Sequence, residues 1–179
     1  MTVERRYGNM PVPITVLWSA EEPLHLAPCA HAGGKTAVCN GVAPGEGKPI
    51  FGKPHMQRHR QAIVDGLCDL CGKTLNQRTK VSLSHAREQP GADGLCVMQV
   101  EPLLHKACAA VSVRHCPSLK RDIKLGTLRV RQVNRYRVQL AQLTSAATFE
   151  FTGQCQPGAI GHAKVELLAW KDRTAEWLR

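Results

Sequence analysis

Apolar positions along this chain change their period from region to region, and the changes divide it into three parts. Residues 1–54 are broken by Pro11, Pro13, Pro23, Pro28, Pro44, Pro49 and Pro54. Within them only Ile14–Trp18 (ITVLW) has the β-branched and aromatic content of a strand, and GEGKPIFGKP has the composition of a loop with two Gly-Lys-Pro turns. Met56, Ile63, Val64 and Leu67 then follow helical spacing. Pro54 suits the first turn of that helix, and Gly66 suits its end. Val81–His85 and Leu95–Val100 alternate like strands around a Gln89–Gly94 turn, which predicts a hairpin. Pro102 opens a second predicted helix, with Leu104, Ala107, Cys108 and Val111 on one face, and Pro117 stops it. From Leu125 the period becomes two. Leu128, Val130, Tyr136, Val138 and Leu140 take even positions, and Arg129, Arg131, Arg135 and Arg137 take odd ones. That pattern predicts a strand bent near Val133-Asn134, followed by strands at Phe149–Thr152 and Ala163–Trp170. Asp172 is placed to cap a short last helix, Arg173–Leu178, docked through Trp177. The expectation is an α+β protein: a turn-rich segment 1–54, a core 55–118 and a β-rich part 119–179.

The chain has 179 residues, 43% of them hydrophobic, enough to bury a core of its own. No apolar run approaches the ~18 residues of a membrane span. MTVERRYGNMPVP is followed by no apolar segment, so no secretory signal is expected and the expected compartment is the cytoplasm. Disulfides are rare there, and eight cysteines are better understood as metal ligands or core thiols.

Two ligand doublets stand out: Cys68-x2-Cys71 followed by Gly72, and His105-x2-Cys108. Three thiolates and an imidazole make the closed tetrahedral set that Zn2+ takes in structural sites, leaving no open position for water. His115 and Cys116 are weaker substitutes, two helical turns beyond Cys108. The order knuckle, hairpin, helix, with the second pair in the helix's first turn, resembles a treble-clef zinc finger. His25, Cys29, His31 and Cys39 form a looser set whose spacing matches no common doublet, and a second metal there is left open. His55 and His59 lie four apart without a nearby partner and are expected at the surface. Gly33-Gly34-Lys35-Thr36 resembles the end of a phosphate-binding loop, but Cys29 stands where that loop needs glycine, and Pro23 and Pro28 spoil the strand before it.

RQAIVDGLCDLCGKTL together with PLLHKACAAVSVRHCPSL resembles a group of uncharacterised zinc-binding proteins of bacteriophages and bacteria. The match runs through Arg60-Gln61, Cys68, Cys71, Gly72, Pro102, His105, Cys108, Cys116, Pro117 and Leu119, over about residues 58–120. Leu103 and Leu104 put Pro102 one residue further from His105 than in that pattern. The resemblance implies the zinc site and a phage or bacterial setting, and no activity. The same segment is similar in spacing to HNH-type endonucleases, which would make His85 a general base. However, Ser84 stands where an acidic residue commonly precedes that histidine, Met98 and Gln99 stand near the place of an asparagine, and Ala109 replaces a metal-binding histidine. Cleavage needs that ligand set to stabilise the leaving phosphate.

Charge changes the picture in the last third. Residues 118–143 hold Lys120, Arg121, Lys124, Arg129, Arg131, Arg135 and Arg137 against Asp122 alone. A cluster of this kind attracts phosphate backbones or acidic protein surfaces. Aromatic residues make up 4% of the chain, too few for a base-stacking platform, so the expected mode is sequence-indifferent contact with a DNA or RNA backbone. The expected job is binding without catalysis. An HNH-like nuclease, a module that occupies a host enzyme and a virion component are the competing readings.

Overall fold

Two stretches of 14 residues in the C-terminal third, Arg129–Gln142 and Ile160–Arg173, pair antiparallel and carry much of the remaining chain. The structure is a computed structural model that describes residues 5–179. In chain order the elements are β1 (Arg6–Tyr7), β2 (Met10–Pro11), β3 (Val16–Trp18), β4 (Leu24–Pro28), β5 (Thr36–Asn40), β6 (Pro49–Pro54) and α1 (Met56–Val64). They continue with β7 (Lys80–Ser84), β8 (Glu88–Gly91), β9 (Gly94–Gln99), β10 (Leu104–His105), α2 (Lys106–His115) and α3 (Pro117–Lys124). The last are β11 (Arg129–Gln142), α4 (Ser145–Thr152) and β12 (Ile160–Arg173).

The large sheet runs β10-β7-β11-β12-β5-β4. The edge of β12 that faces away from β11 is used twice. Ile160 lies parallel beside Ala37 of β5, and Val165–Leu167 lie antiparallel beside Val97–Gln99 of β9, which carries β8 in turn. This one sheet takes strands from all three parts of the sequence.

Several expectations change here. The predicted hairpin of Val81–His85 with Leu95–Val100 does not form. β7 pairs with β11 and β10, β9 pairs with β8 and β12, and the long pair stands between them. The treble-clef order is therefore present along the sequence but not in this pairing. Pro54 belongs to β6 and not to the first turn of α1. Instead the His55 ring caps that helix, its Nδ1 accepting the Arg58 N–H at 3.3 Å, and Gly66 follows with the left-handed backbone (φ 62°) that ends it. Pro117 ends α2 but also opens α3, because a first helical position has no N–H to lose. Phe149–Thr152 is helical: Thr144 Oγ1 accepts the Ala147 N–H at 3.2 Å, and Gly153 closes α4. Asp172 lies within β12, and Thr174 precedes the final 3-10 turn, Ala175–Leu178. The predicted bend at Val133-Asn134 is a register shift, with Val133 opposite Trp170 and Arg135 opposite Ala169.

Ile63, Leu75, Val81, Val97, Leu103, Val130, Val133, Val165 and Leu167 form the principal core. Each such side chain contributes about 1.5–3 kcal/mol when fully buried. Two arginines, Arg60 buried and Arg58 partly so, then tie α1 to the sheet and to the N-terminal turns. The Arg60 guanidinium, fully buried, donates to Gly161 O at 2.8 Å and Val38 O at 2.7 Å, joining β12 and β5 through α1. Arg58 makes two 2.7 Å bonds to the fully buried Glu21 carboxylate and donates to the carbonyls of Ile14 and Val16. His55 and His59 are buried at 1% and 4% exposure, against the surface placement expected for them. Burial pushes the His59 pKa down to about 4, and its Nε2 lies 2.6 Å from Val100 O.

Burial pushes the Glu21 pKa up, but the Arg58 hydrogen bonds and the amides of Trp18 and Ala43 outweigh it and hold the value at about 2 against an ordinary 4.5. A depressed carboxylate stabilises the fold fully above its unfolded value, and that stability drains as pH falls towards the folded value. Glu21→Ala, which strands Arg58, is expected to cost about 3–5 kcal/mol at neutral pH in urea unfolding. It should also flatten the loss of stability between pH 4.5 and 2.

Candidate metal centre and basic surface

The Cys68–Cys71 turn is a backbone knuckle. Gly72 N–H donates to Cys68 O and Cys68 N–H to Lys73 O, both at 2.8 Å, and Gly72 takes a positive φ of 68° that a side chain would strain. Asp69 N–H donates to Leu103 O at 3.1 Å, which sets the knuckle against the strand carrying the second doublet. There His105 is fixed by β10, opposite Lys80 of β7. α2 starts at Lys106 and not at Pro102, so His105 is its N-cap residue and Cys108 lies in its first turn.

The four ligand atoms of Cys68, Cys71, His105 and Cys108 all lie within 4.8 Å of one another. His105 Nδ1 is 3.4 Å from Cys71 Sγ and 3.9 Å from Cys108 Sγ, near the edge length of about 3.8 Å that ~2.3 Å metal–sulfur bonds give a tetrahedron. The other ring nitrogen, Nε2, donates to Thr74 O at 2.9 Å, so the lone pair is on Nδ1, facing the sulfurs. The Cys68 thiol is pulled down to about 5, first by a hydrogen bond from Cys108 and then by the amides of Cys71, His105 and Leu70, against burial. The Cys108 thiol is pushed up by that same shared proton and by burial. Three sulfurs and a correctly turned imidazole around one point fit a single metal ion.

Among the described residues no other group of three or more His, Cys, Asp or Glu side chains converges in this way. Cys29 and Cys39 instead pack in a small apolar cluster with Ala32, Ala37 and Ile160. His25 is exposed, and His31 sits 3.6 Å from Asp65. Cys116 links α2 to α3, and neither it nor His115 joins the four ligands.

The arginine face is less uniform than its alternation predicts. Arg131 is 2% exposed, because Ser84, Ala86 and Asp172 cover the odd face of β11 there. Arg137 is exposed but bonded to Glu166 at 2.7 Å and Asp93 at 3.2 Å, and Arg121 is paired with Asp122 at 3.0 Å. Lys120, Lys124, Arg129 and Arg135 are exposed and, among the described residues, make no ion pair. His85 lies just past β7, half exposed, with Nε2 3.2 Å from Asp122 Oδ2. Burial raises the Asp122 pKa, but the hydrogen bonds from Arg121 and His85 outweigh it and keep the carboxylate ionised. That partner lies 37 residues downstream on a helix that the sequence pattern does not reveal.

No helix among the described residues is long and apolar enough to cross a membrane. Comparison with protein families, with curated proteins and with solved structures finds no match.

Elemental analysis of the purified protein is expected to give one metal ion per chain. Cys71→Ser should bring that close to zero, whereas Cys29→Ala with Cys39→Ala should leave it at one. Chelation should lower the melting temperature of the parent protein and not that of the Cys71 variant.

Proposed function

We propose that the four-ligand cluster binds Zn2+ as a structural ion and that the protein is a non-catalytic accessory factor that binds nucleic acid. A sulfur-rich tetrahedral set with one imidazole suits zinc. The treble-clef reading is supported by the order of the knuckle, the strands and the helix that carries Cys108, although the intervening strands do not form a hairpin. Reduced thiolates suit a cytoplasmic protein, and the resemblance over residues 58–120 supports a phage or bacterial one. The observation that supports the binding function is the set of exposed cations that make no ion pair among the described residues: Lys120 and Lys124 on α3, Arg129 and Arg135 on β11. Such side chains gain most from displacing counterions on a phosphate backbone, and they do so without reading base sequence.

Affinity for mixed-sequence DNA or RNA is therefore expected to fall linearly on a log–log plot against salt. Arg135→Gln should reduce that slope by about one. Arg137→Gln should change it much less, because Glu166 and Asp93 already neutralise that guanidinium. Equal effects of the two substitutions, or salt-independent binding, would overturn this reading. A pull-down partner that survives nuclease treatment would point instead to an acidic host protein.

One observation favours a second reading. The exposed His85 is oriented by Asp122 in the manner of a general base and its carboxylate. An HNH-like nuclease built on it would nick plasmid with Mg2+, Mn2+ or Ni2+ and lose that activity on His85→Ala. Against it, no second metal-ligand cluster accompanies His85 among the described residues. The expected outcome is no nicking with any of the three ions.

A further inference from the structure

A cleft of about 350 Å³ opens where β7, β11 and β12 end together, lined by Arg87, Glu88, Arg129, Arg131 and Asp172. Arg129 and Arg131 stand on β11 with Val130 between them, and Arg87, from the turn after β7, is brought beside them by strand register. Arg129 lies opposite Ser84 of β7, and Arg131 lies opposite Asp172 of β12. Two of the three are held by neutral groups. Arg87 donates to His85 O at 2.8 Å and Thr127 O at 3.2 Å, and Arg131 donates to Ala86 O at 2.8 Å and Ser84 Oγ at 3.3 Å. These bonds fix the forks in place without neutralising them, and the one carboxylate paired with Arg131 is that of Asp172, at 3.6 Å. Arg129 makes no ion pair among the described residues.

Arg131 is the unusual member. It is almost completely buried, yet its Nε has no hydrogen-bond partner, and the nearest carboxylate oxygen, on Asp172, stands 3.6 Å away. Burial lowers its pKa, the Asp172 carboxylate opposes this, and the nearby Arg129 and Arg87 lower it further. Glu88 and Asp172 offset this from the rim, and both are exposed. A buried guanidinium with an unused donor, beside two more of like charge, is stabilised by an anion that all three can reach.

We propose that this cleft is a phosphate subsite, in which Arg87, Arg129 and Arg131 together bind one phosphoryl group. A tetrahedral phosphoryl group offers oxygens in three directions, one towards each guanidinium, whereas a carboxylate presents its two oxygens in one plane. The inference deepens the nucleic-acid reading and rests on it for the source of the group, a strand's terminal phosphate; a free phosphate has the same chemistry.

The test uses the full chain. Inorganic phosphate is titrated calorimetrically, and a twelve-residue oligonucleotide is compared with and without a 5′-phosphate. Phosphate is expected to saturate at one site. Arg87→Gln and Arg129→Gln should each weaken it at least tenfold while leaving the melting temperature near that of the parent, and Asp172→Asn should tighten it. Because Arg131→Gln is at risk of misfolding, the two more exposed arginines carry the test. A 5′-phosphate that strengthens oligonucleotide binding, lost in Arg87→Gln, identifies a strand end as the source. Phosphate binding with no oligonucleotide binding keeps the subsite, with free phosphate as its source, and removes the nucleic-acid reading. Oligonucleotide binding with no phosphate saturation, and no effect of either arginine on the 5′-phosphate preference, overturns the subsite alone.

Discussion

The ladder between β11 and β12 is the constraint on which the other placements depend. It runs from Val130 opposite Arg173 to Gln142 opposite Ile160. Because β12 also pairs with β9 and β5 along its other edge, and β11 with β7, one pair of strands sets the position of three neighbouring elements. β7 in turn holds β10 and so places His105. The metal ligands on the helix side are thus located by sheet register, and those on the knuckle side by a tight turn docked on Leu103. The four side chains could hold an ion where two independent parts of the backbone meet within range of each other.

The ligand doublets were legible in the sequence because each is local: a two-residue gap, a glycine after Cys71 and the right donor chemistry. The strand after Leu125 and its bend were legible for the same reason, since alternation reports one face at a time. Which strand lies beside which was not. Nothing in VSLSH or LCVMQV encodes that two longer strands pass between them, and a hairpin is the natural local guess. β4 and β6 are hidden by the prolines at their ends, and β6 also by the distance to its partner β3; β5 is short and sits inside a turn-rich stretch. α3 is hidden because Pro117 signals the end of one helix as readily as the first residue of the next.

The polar residues repeat that lesson. His55 and His59 look like surface side chains by composition, but α1 turns them inward, where carbonyls satisfy a ring nitrogen of each. Arg131 looks like one of four equivalent charges by spacing. Its position beneath the turn after β7 separates it from Arg135, and Glu166, directly opposite on β12, does the same for Arg137. Charge counted along the chain therefore overstates the free positive surface. Compensation depends on neighbours across the sheet, and those are set by register.

Arg60 joins carbonyls at residues 38 and 161, more than a hundred positions apart. On the ribosome, β12 emerges after every strand it pairs with, so the first half of the chain must wait with open edges until synthesis is nearly through residue 173. A topology this dependent on late, distant pairing assembles slowly and in one concerted act, and the nascent chain is exposed to wrong partners for as long as it waits.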